Sequence, residues 1–486
     1  MRIFRLCAPL LNSLLSLSIL TSLQAQPVPT FNLETYPSRT AATFGVKADL
    51  DNDGVPDLVL CCGPSGNVWY QLSDGNGAFL PPVTLGPIYQ FGFSIASGDF
   101  NKDGRTDIAV PNPSGGITVH YNQGGGLFTT TSYFGGSNPR EVAVADFNHD
   151  NNLDIAFTPN KQGVPVLVAL GDGKGHFTPP ATVYSSSAQA SAFNLVVGDF
   201  DGDGNADLAF VLQSCFRGGC NPSDVVILYG SGNGKFTSKT FPSSFFLQNL
   251  SSFDVNRTGR SDLTFVTGCT VISCGDSIGV LLGTASRTLA QVLIQPQHFD
   301  PVSLGAADLN GDLKDDLVDS YGNGNTEGAL LALATTTSSW NKQIELPVAG
   351  NGEAFSLVLV GDFNRDRKPD IVLYNPTSGL IQELVNTTPT GTYGSCPYPH
   401  TGQGIHVCSP TSGSTVYSPV RITAAANSFQ PIRKMELWID GHKVKEQFRS
   451  WLDFTTSLVH GTHKVTINAV GYDSDFQRKS FMFAVN

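Results

Sequence analysis

One nine-residue pattern recurs seven times between Asp49 and Asp370, and no other feature limits the fold so tightly. Its clearest copy is Asp49-Leu-Asp-Asn-Asp-Gly-Val-Pro-Asp57, and the others begin at Asp99, Asp146, Asp199, Asp254, Asp308 and Asp362, 47 to 55 residues apart. Every copy has a carboxylate at positions 1 and 9, an oxygen-bearing side chain at 3 and 5, an apolar residue at 2 and Leu or Ile at 10. A repeat of this length is one supersecondary unit that cannot bury its apolar face alone, so the units must stack on one another.

Alternating oxygen side chains on a tight turn suit a hard cation, because Ca²⁺ takes six to eight oxygen ligands around one point. Positions 1, 3, 5 and 9 would supply side-chain oxygens and position 7 a backbone carbonyl. In the first copy these are Asp49, Asp51, Asp53, Val55 and Asp57; in the second Asp99, Asn101, Asp103, Arg105 and Asp107; in the third Asp146, Asn148, Asp150, Asn152 and Asp154. The fourth offers Asp199, Asp201, Asp203, Asn205 and Asp207, the sixth Asp308, Asn310, Asp312, Lys314 and Asp316, and the seventh Asp362, Asn364, Asp366, Lys368 and Asp370. Glycine at position 6 (Gly54, Gly104, Gly204, Gly259) permits the positive φ of so sharp a turn. Asn151 tolerates it, whereas Leu313 and Arg367 meet a steric cost, which predicts distorted or weaker sixth and seventh loops. The fifth copy keeps only Asp254 and Asp262 as acids, with Asn256 and Thr258 between them, and reads as an empty relic.

A second periodic feature follows most loops: Asp74-Gly-Asn-Gly-Ala-Phe79, Gly124-Gly-Gly-Leu-Phe128, Gly171-Asp-Gly-Lys-Gly-His-Phe177 and Gly230-Ser-Gly-Asn-Gly-Lys-Phe236. These lie between apolar runs and read as β-hairpin turns. A phosphate-binding glycine loop needs a helix after it, and here a strand follows. One unit is therefore strand, loop, strand, variable loop, strand, hairpin, strand, the unit of a β-propeller blade. Seven units predict an all-β, seven-bladed propeller. The segment Phe31-Asn-Leu-Glu-Thr-Tyr36 resembles the outer strands, whereas the seventh unit ends without one, so the N-terminal strand is expected to complete the last blade.

The Asp-Phe-Asn-x-Asp-Gly-x-x-Asp-[Ile/Leu] pattern with its Gly-x-Gly-x-Phe hairpin resembles the FG-GAP or VCBS repeat family, the propeller type of integrin α-subunits and many exported bacterial proteins. The resemblance covers residues 27 to about 392. It implies calcium sites in loops on one face that stabilise the blades, and leaves function open among adhesins, lectin-like propellers, scaffolds and domains attached to enzymes.

The ends of the chain differ. Arg2 and Arg5 precede an apolar run from about Leu6 to Leu20, and a small residue, Ala25, precedes a polar, Pro-rich continuation, which is the pattern of a secretory signal peptide over residues 1–25. Export to the periplasm, cell surface or medium is expected, with no membrane segment in the mature chain. Residues 26–392 form the propeller and 393–404 a linker. Residues 405–486, with alternating strands such as Met435-Glu-Leu-Trp-Ile439 and His463-Lys-Val-Thr-Ile-Asn-Ala469, predict about seven strands in a β-sandwich that resembles bacterial Ig-like domains. His460 and His463 read as solvated turn residues without a carboxylate partner. An even set of cysteines in an exported chain suggests disulfides: Cys215 with Cys220, Cys269 with Cys274 and Cys396 with Cys408, while Cys61 and Cys62 either bridge each other or stay free.

The net charge of −12 excludes a phosphate-backbone binder, which needs clustered Lys and Arg. No nucleophile elbow, zinc-protease helix or nucleotide fold appears, and catalytic groups occur once, whereas seven copies mark a scaffold. The expected function is a monomeric, secreted binding or adhesion module for a glycan or surface protein, with structural calcium. A carbohydrate hydrolase or lyase with its site at the channel, and a purely structural cell-surface module, are the alternatives. The segments 215–220 and 269–274 are candidate parts of a recognition surface.

Overall fold

A computed structural model describes residues 28–486 apart from 41, 63–65, 88–93, 113–115, 161–162, 164, 187–189, 217–218, 269–276, 295–300, 313, 323–326, 337, 349–354, 367, 389–403, 428–431, 448–450 and 472–475. The expectations for residues 1–25, Leu313, Arg367, Cys269, Cys274 and Cys396 therefore lie outside the described residues.

Seven antiparallel sheets follow one another along the chain. Blade 1 consists of Phe44–Ala48, Asp57–Cys61, Asn67–Gln71 and Val83–Pro87. Blades 2 to 6 begin with the strands Ala96–Gly98, Pro139–Ala145, Ala190–Gly198, Phe246–Phe253 and Pro301–Ala307. Blade 7 takes Leu357–Gly361, Asp370–Asn375 and Leu380–Asn386 from the end of the propeller and its outer strand, Phe31–Pro37, from the beginning. That outer strand pairs antiparallel from Phe31 opposite Asn386 to Pro37 opposite Leu380, so one blade is built from both ends and the ring is closed by backbone hydrogen bonds.

Strand alternation builds the core. Successive side chains point to opposite faces of a blade, so Leu58 and Leu60 join Phe363 and Val372 at the joint with blade 7, while Val59 and Cys61 join Ile108 and Val110 at the joint with blade 2. Seven such inter-blade clusters occupy the seven joints. The apolar residue at position 2 of each loop is a plug for one of them, from Leu50 at 5% exposure to Val255, Leu309 and Phe363 at 0%.

The repeated loop joins the first and second strands of each blade, and the glycine hairpin joins the third and fourth. In an antiparallel sheet both connections fall on one face of the ring. The second-to-third connections fall on the other. There the second strand of blade 4, Asp207–Phe216, outruns its sheet and pairs with Gly219–Cys220, with Cys215 opposite Cys220 in the register. Cys61 and Cys62 are joined to each other at the end of the second strand of blade 1, and Cys408 is also disulfide-bonded.

The C-terminal domain is a sandwich of a three-stranded sheet (Gly404–Ser409, Val420–Asn427, Trp451–Thr456) and a five-stranded sheet (Thr415–Val416, Phe476–Val485, Gly461–Gly471, Ile432–Ile439, His442–Gln447), one strand more than the sequence suggests. Its separate core contains Ile422, Leu437, Ile467 and Phe483. The expectation for His463 is corrected here. It is 6% exposed, and its Nδ1 lies 2.7 Å from Asp440 Oδ2 and its Nε2 2.9 Å from the Val459 carbonyl oxygen. The Asp440-Gly441 turn, distant in sequence, brings the carboxylate to it.

Candidate metal centres

Each repeated loop is held by its own carboxylates. At position 1, Asp49 accepts the N–H groups of Asp53 at 3.1 Å and Gly54 at 3.0 Å, and Asp99 accepts those of Asp103 and Gly104 in the same way. At position 5, Asp53 Oδ1 accepts the N–H of Val55. At position 9, Asp57 accepts the N–H of Leu50 at 2.7 Å with one oxygen and that of Ser73, beyond the third strand, at 2.8 Å with the other. Asp107, Asp154, Asp207, Asp316 and Asp370 make the same pair of bonds, to position 2 and to the end of the third strand. The fifth loop keeps much of this frame: Asp254 accepts from Thr258 and Gly259, and Asp262 from Gly283.

The position 9 carboxyls are buried, and burial pushes them up, Asp57, Asp207, Asp262, Asp316 and Asp370 to about 8 and Asp107 and Asp154 to about 7. Two backbone bonds to a carboxylate favour its charged form but do not offset the lost hydration. A cation in the loop would.

The donor set fits one. In the two loops with four aspartates, Asp49, Asp51 and Asp57 converge, as do Asp199, Asp201 and Asp207, with one ligand oxygen from each lying within 4.8 Å of the others. Oxygens bound to one Ca²⁺ at about 2.3–2.6 Å are at most about 5 Å apart, and a carboxylate oxygen that accepts one N–H still has a lone pair to give. Both clusters can hold a metal ion.

The structure also shows two features of these loops that the sequence conceals. Position 4 has a positive φ in all seven copies: Asn52 62°, Lys102 58°, His149 59°, Gly202 82°, Arg257 55°, Gly311 74° and Arg365 62°. At Asn52, Arg257 and Arg365 the side chain leans onto the following blade. Asn52 donates to the Gly104 carbonyl at 2.8 Å; Arg257 donates to Asp315 Oδ1 at 2.5 Å and lies 3.5 Å from Asp308; Arg365 pairs with Asp53 at 2.8 Å across the closing joint. The second feature is at position 7, where Arg105 and Lys368 pair with the position 5 carboxylates of their own loops, Asp103 and Asp366, at 2.5 and 3.1 Å, and Lys314 pairs likewise with Asp312. The only sequence signal for either is a cation beside an acid, which is common on any surface.

An FG-GAP-like repeat model matches residues 49–110, 99–157 and 158–210, and a bacterial Ig domain model matches residues 404–467. Residues 49–210 thus carry FG-GAP-like repeats. The last domain is a bacterial Ig-like domain. Among curated proteins the chain is similar to cartilage acidic protein 1 of Xenopus tropicalis, 27% identical over 165 residues, and of Mus musculus, 24% over 175 residues, each match covering 31% of this chain. The chain thus spans only 26% of the length of these relatives. Among solved structures it resembles BBS1N in complex with ARL6DN (TM-score 0.49, 10% identity, 76% of this chain and 99% of that one). It also resembles the extracellular domain of a hybrid two-component system from B. thetaiotaomicron (0.40, 11%, 93% and 57%) and the rhamnogalacturonan lyase YesW (0.40, 12%, 76% and 76%). These scores lie under 0.5, and the propeller rests on this chain's own strand topology.

Proposed function

We propose that the FG-GAP-like chain is an exported binding module: a calcium-stabilised propeller whose variable face recognises a glycan or an extracellular protein, with the Ig-like domain as a spacer. The observation that carries the metal part is the convergence of Asp49, Asp51 and Asp57, and of Asp199, Asp201 and Asp207, within the reach of one ion. When bound, the ion supplies the positive charge that these buried carboxylates lack. Asn and Asp at positions 1, 3, 5 and 9 of the second, third, sixth and seventh loops would hold further ions. The Cys61–Cys62 bridge, the disulfide at Cys408 and the leader-like residues 1–25 favour export. Among the described residues no helix is long and apolar enough to cross a membrane.

Topology favours a structural role for the ions. The loops occupy one face, and the irregular second-to-third connections, including the arm at residues 215–220, occupy the other, a strand of five or six residues away, about 17–20 Å. A ligand on the variable face would not touch an ion, so calcium would act through the stability of the blades. A glycan array probed with the mature chain, with calcium and with EGTA, followed by a turnover assay on any bound glycan, tests the reading. Binding without turnover is expected, weakened by EGTA only where unfolding begins. Turnover would transfer the case to the carbohydrate-active enzyme, and neither binding nor turnover to the structural module.

A further inference from the structure

Four hairpins carry a glycine two residues before the first residue of the fourth strand or its phenylalanine: Gly77, Gly126, Gly175 and Gly234, with φ of 94°, 77°, 82° and 73°. Blade 5 places Arg287 at this point, two residues before Leu289, with φ 55°. A non-glycine residue in that conformation is strained, and strain that persists in a fold points to a use. The conformation throws the guanidinium out of its own blade onto blade 4. Its Nε donates to Asp201 Oδ2 at 2.7 Å, its Nη2 lies 3.9 Å from Asp203 Oδ2, its Nη1 donates to Thr237 Oγ1 at 3.3 Å, and the group lies 4.6 Å from the centre of the Tyr229 ring. Lys239 of blade 4 closes the contact by donating to the Arg287 carbonyl. Asp201 is one of the three carboxylates that converge in the blade 4 loop.

We propose that Arg287 is a resident counter-cation of the blade 4 loop, which competes with the metal ion for Asp201 and Asp203, lowers the loop's affinity for it and ties its occupancy to the joint between blades 4 and 5. The proposal rests on the reading of this loop as a metal site. A guanidinium has donors only, so it contributes no ligand to the ion; it contributes a positive charge that a dication must approach. Support for the ligands would act in the opposite direction, since partners behind a metal ligand raise affinity by orienting it. That support is not needed from Arg287. Asp201 Oδ1 is already fixed by the N–H of Asp203, Asp199 by those of Gly202 and Gly204, and Asp207 by those of Phe200 and Gly230. The charge effect is left to decide the sign. By reciprocity an ion in the loop loosens the arginine contact as much as the arginine weakens the ion.

Hydrogen exchange read by mass spectrometry on the mature full-length chain, titrated with Ca²⁺, reports each loop through its own peptides. Arg287→Gly restores the residue that four other hairpins use, and Arg287→Gln removes the charge at similar length, so a folding defect in one does not silence the test. In both, the protection midpoint of residues 199–207 moves to about tenfold lower calcium, equivalent to about 1.4 kcal/mol, while that of residues 49–57 stays within about twofold. In the wild type, residues 284–289 exchange faster with calcium than with EGTA. A midpoint at 199–207 that is unchanged or moves to higher calcium overturns the proposal. If calcium protects neither loop in the wild type, the metal reading falls, and this proposal with it.

Discussion

In every loop the fourth residue takes the left-handed conformation, yet only Gly202 and Gly311 are the residue that conformation favours. Of the other five, Asn52 tolerates it and Lys102, His149, Arg257 and Arg365 accept a cost of about 1 kcal/mol each, and Asn52, Arg257 and Arg365 use the direction it gives to reach the next blade. Glu383 is a second residue that breaks its repeat. It stands three before Asn386, where the other blades have Tyr70, Val119, Val168, Ile227, Val280 and Leu331, and it is fully buried with neither carboxyl oxygen hydrogen-bonded. Burial, and then the charges of Asp370, Glu34 and Asp74, push it up to about 9. A raised acid contributes its stability below its ordinary value, about 4.5, and loses it as pH climbs toward 9. Glu383→Leu should therefore stabilise the propeller by about 1–3 kcal/mol at pH 8 and by less at pH 5, measured by urea unfolding; an equal or lower stability at pH 8 would sink this. His463 shows the same linkage from the basic side. Both ring nitrogens face acceptors, so only the doubly protonated ring satisfies both, and the Val459 carbonyl and then the Asp440 carboxylate hold its pKa above the ordinary value. Its stabilisation is complete below about pH 6.5 and is lost as pH rises through the raised value. The Ig-like domain should melt lower at pH 8 than at pH 6, and His463→Ala should flatten that slope; a variant with the wild-type slope would contradict the assignment.

At the scale of elements, the outer strand Phe31–Pro37 does for blade 7 what hairpin-connected strands do for the others. It covers the edge of Leu380–Asn386 along seven register pairs, and Tyr36 ties it to the next blade by donating to the Gly77 carbonyl at 2.6 Å. A chain that begins at residue 38 leaves that edge open, and an open edge is a template for another chain. Such a truncation should elute as oligomers in size-exclusion chromatography and melt at least 5 °C lower; a monomer with the wild-type melting temperature would show that the ring closes by other contacts. This element was legible in the sequence because a supernumerary outer-strand pattern at one end matched a missing one at the other. The hairpin of blade 5 was not, since Thr284-Ala-Ser-Arg-Thr288 carries no glycine pair and nothing in it shows which blade its arginine meets.

For the whole molecule the charge balance carries the prediction. Without Arg2 and Arg5 the chain has 27 basic residues against 41 acidic ones, a net −14, and the repeated loops concentrate acids on one face of the ring. Without an ion the position 9 carboxyls, raised to about 7 or 8, are protonated in the fold at low pH and must ionise in place as pH rises, so the metal-free protein loses stability from about pH 4 to about pH 8. A bound ion removes that penalty and adds its own binding energy to the native state. Chelation should lower the melting temperature, and the drop should be larger at pH 8 than at pH 5; an unchanged melting temperature after verified calcium removal would defeat the metal reading. The sequence by itself determined the number of blades, the plugs at position 2, the carboxylates at positions 1 and 9 and the strand that closes the ring, because each of these repeats with a fixed period or fills a gap in one. Only the tertiary structure decided that position 4 is left-handed, that Arg287 and Arg365 lie on another blade's carboxylates, that Glu383 is buried without a partner and that Asp440 meets His463. The contacts among these join residues 23 to more than 300 apart, and a local pattern records what a residue is while the tertiary fold selects what it faces.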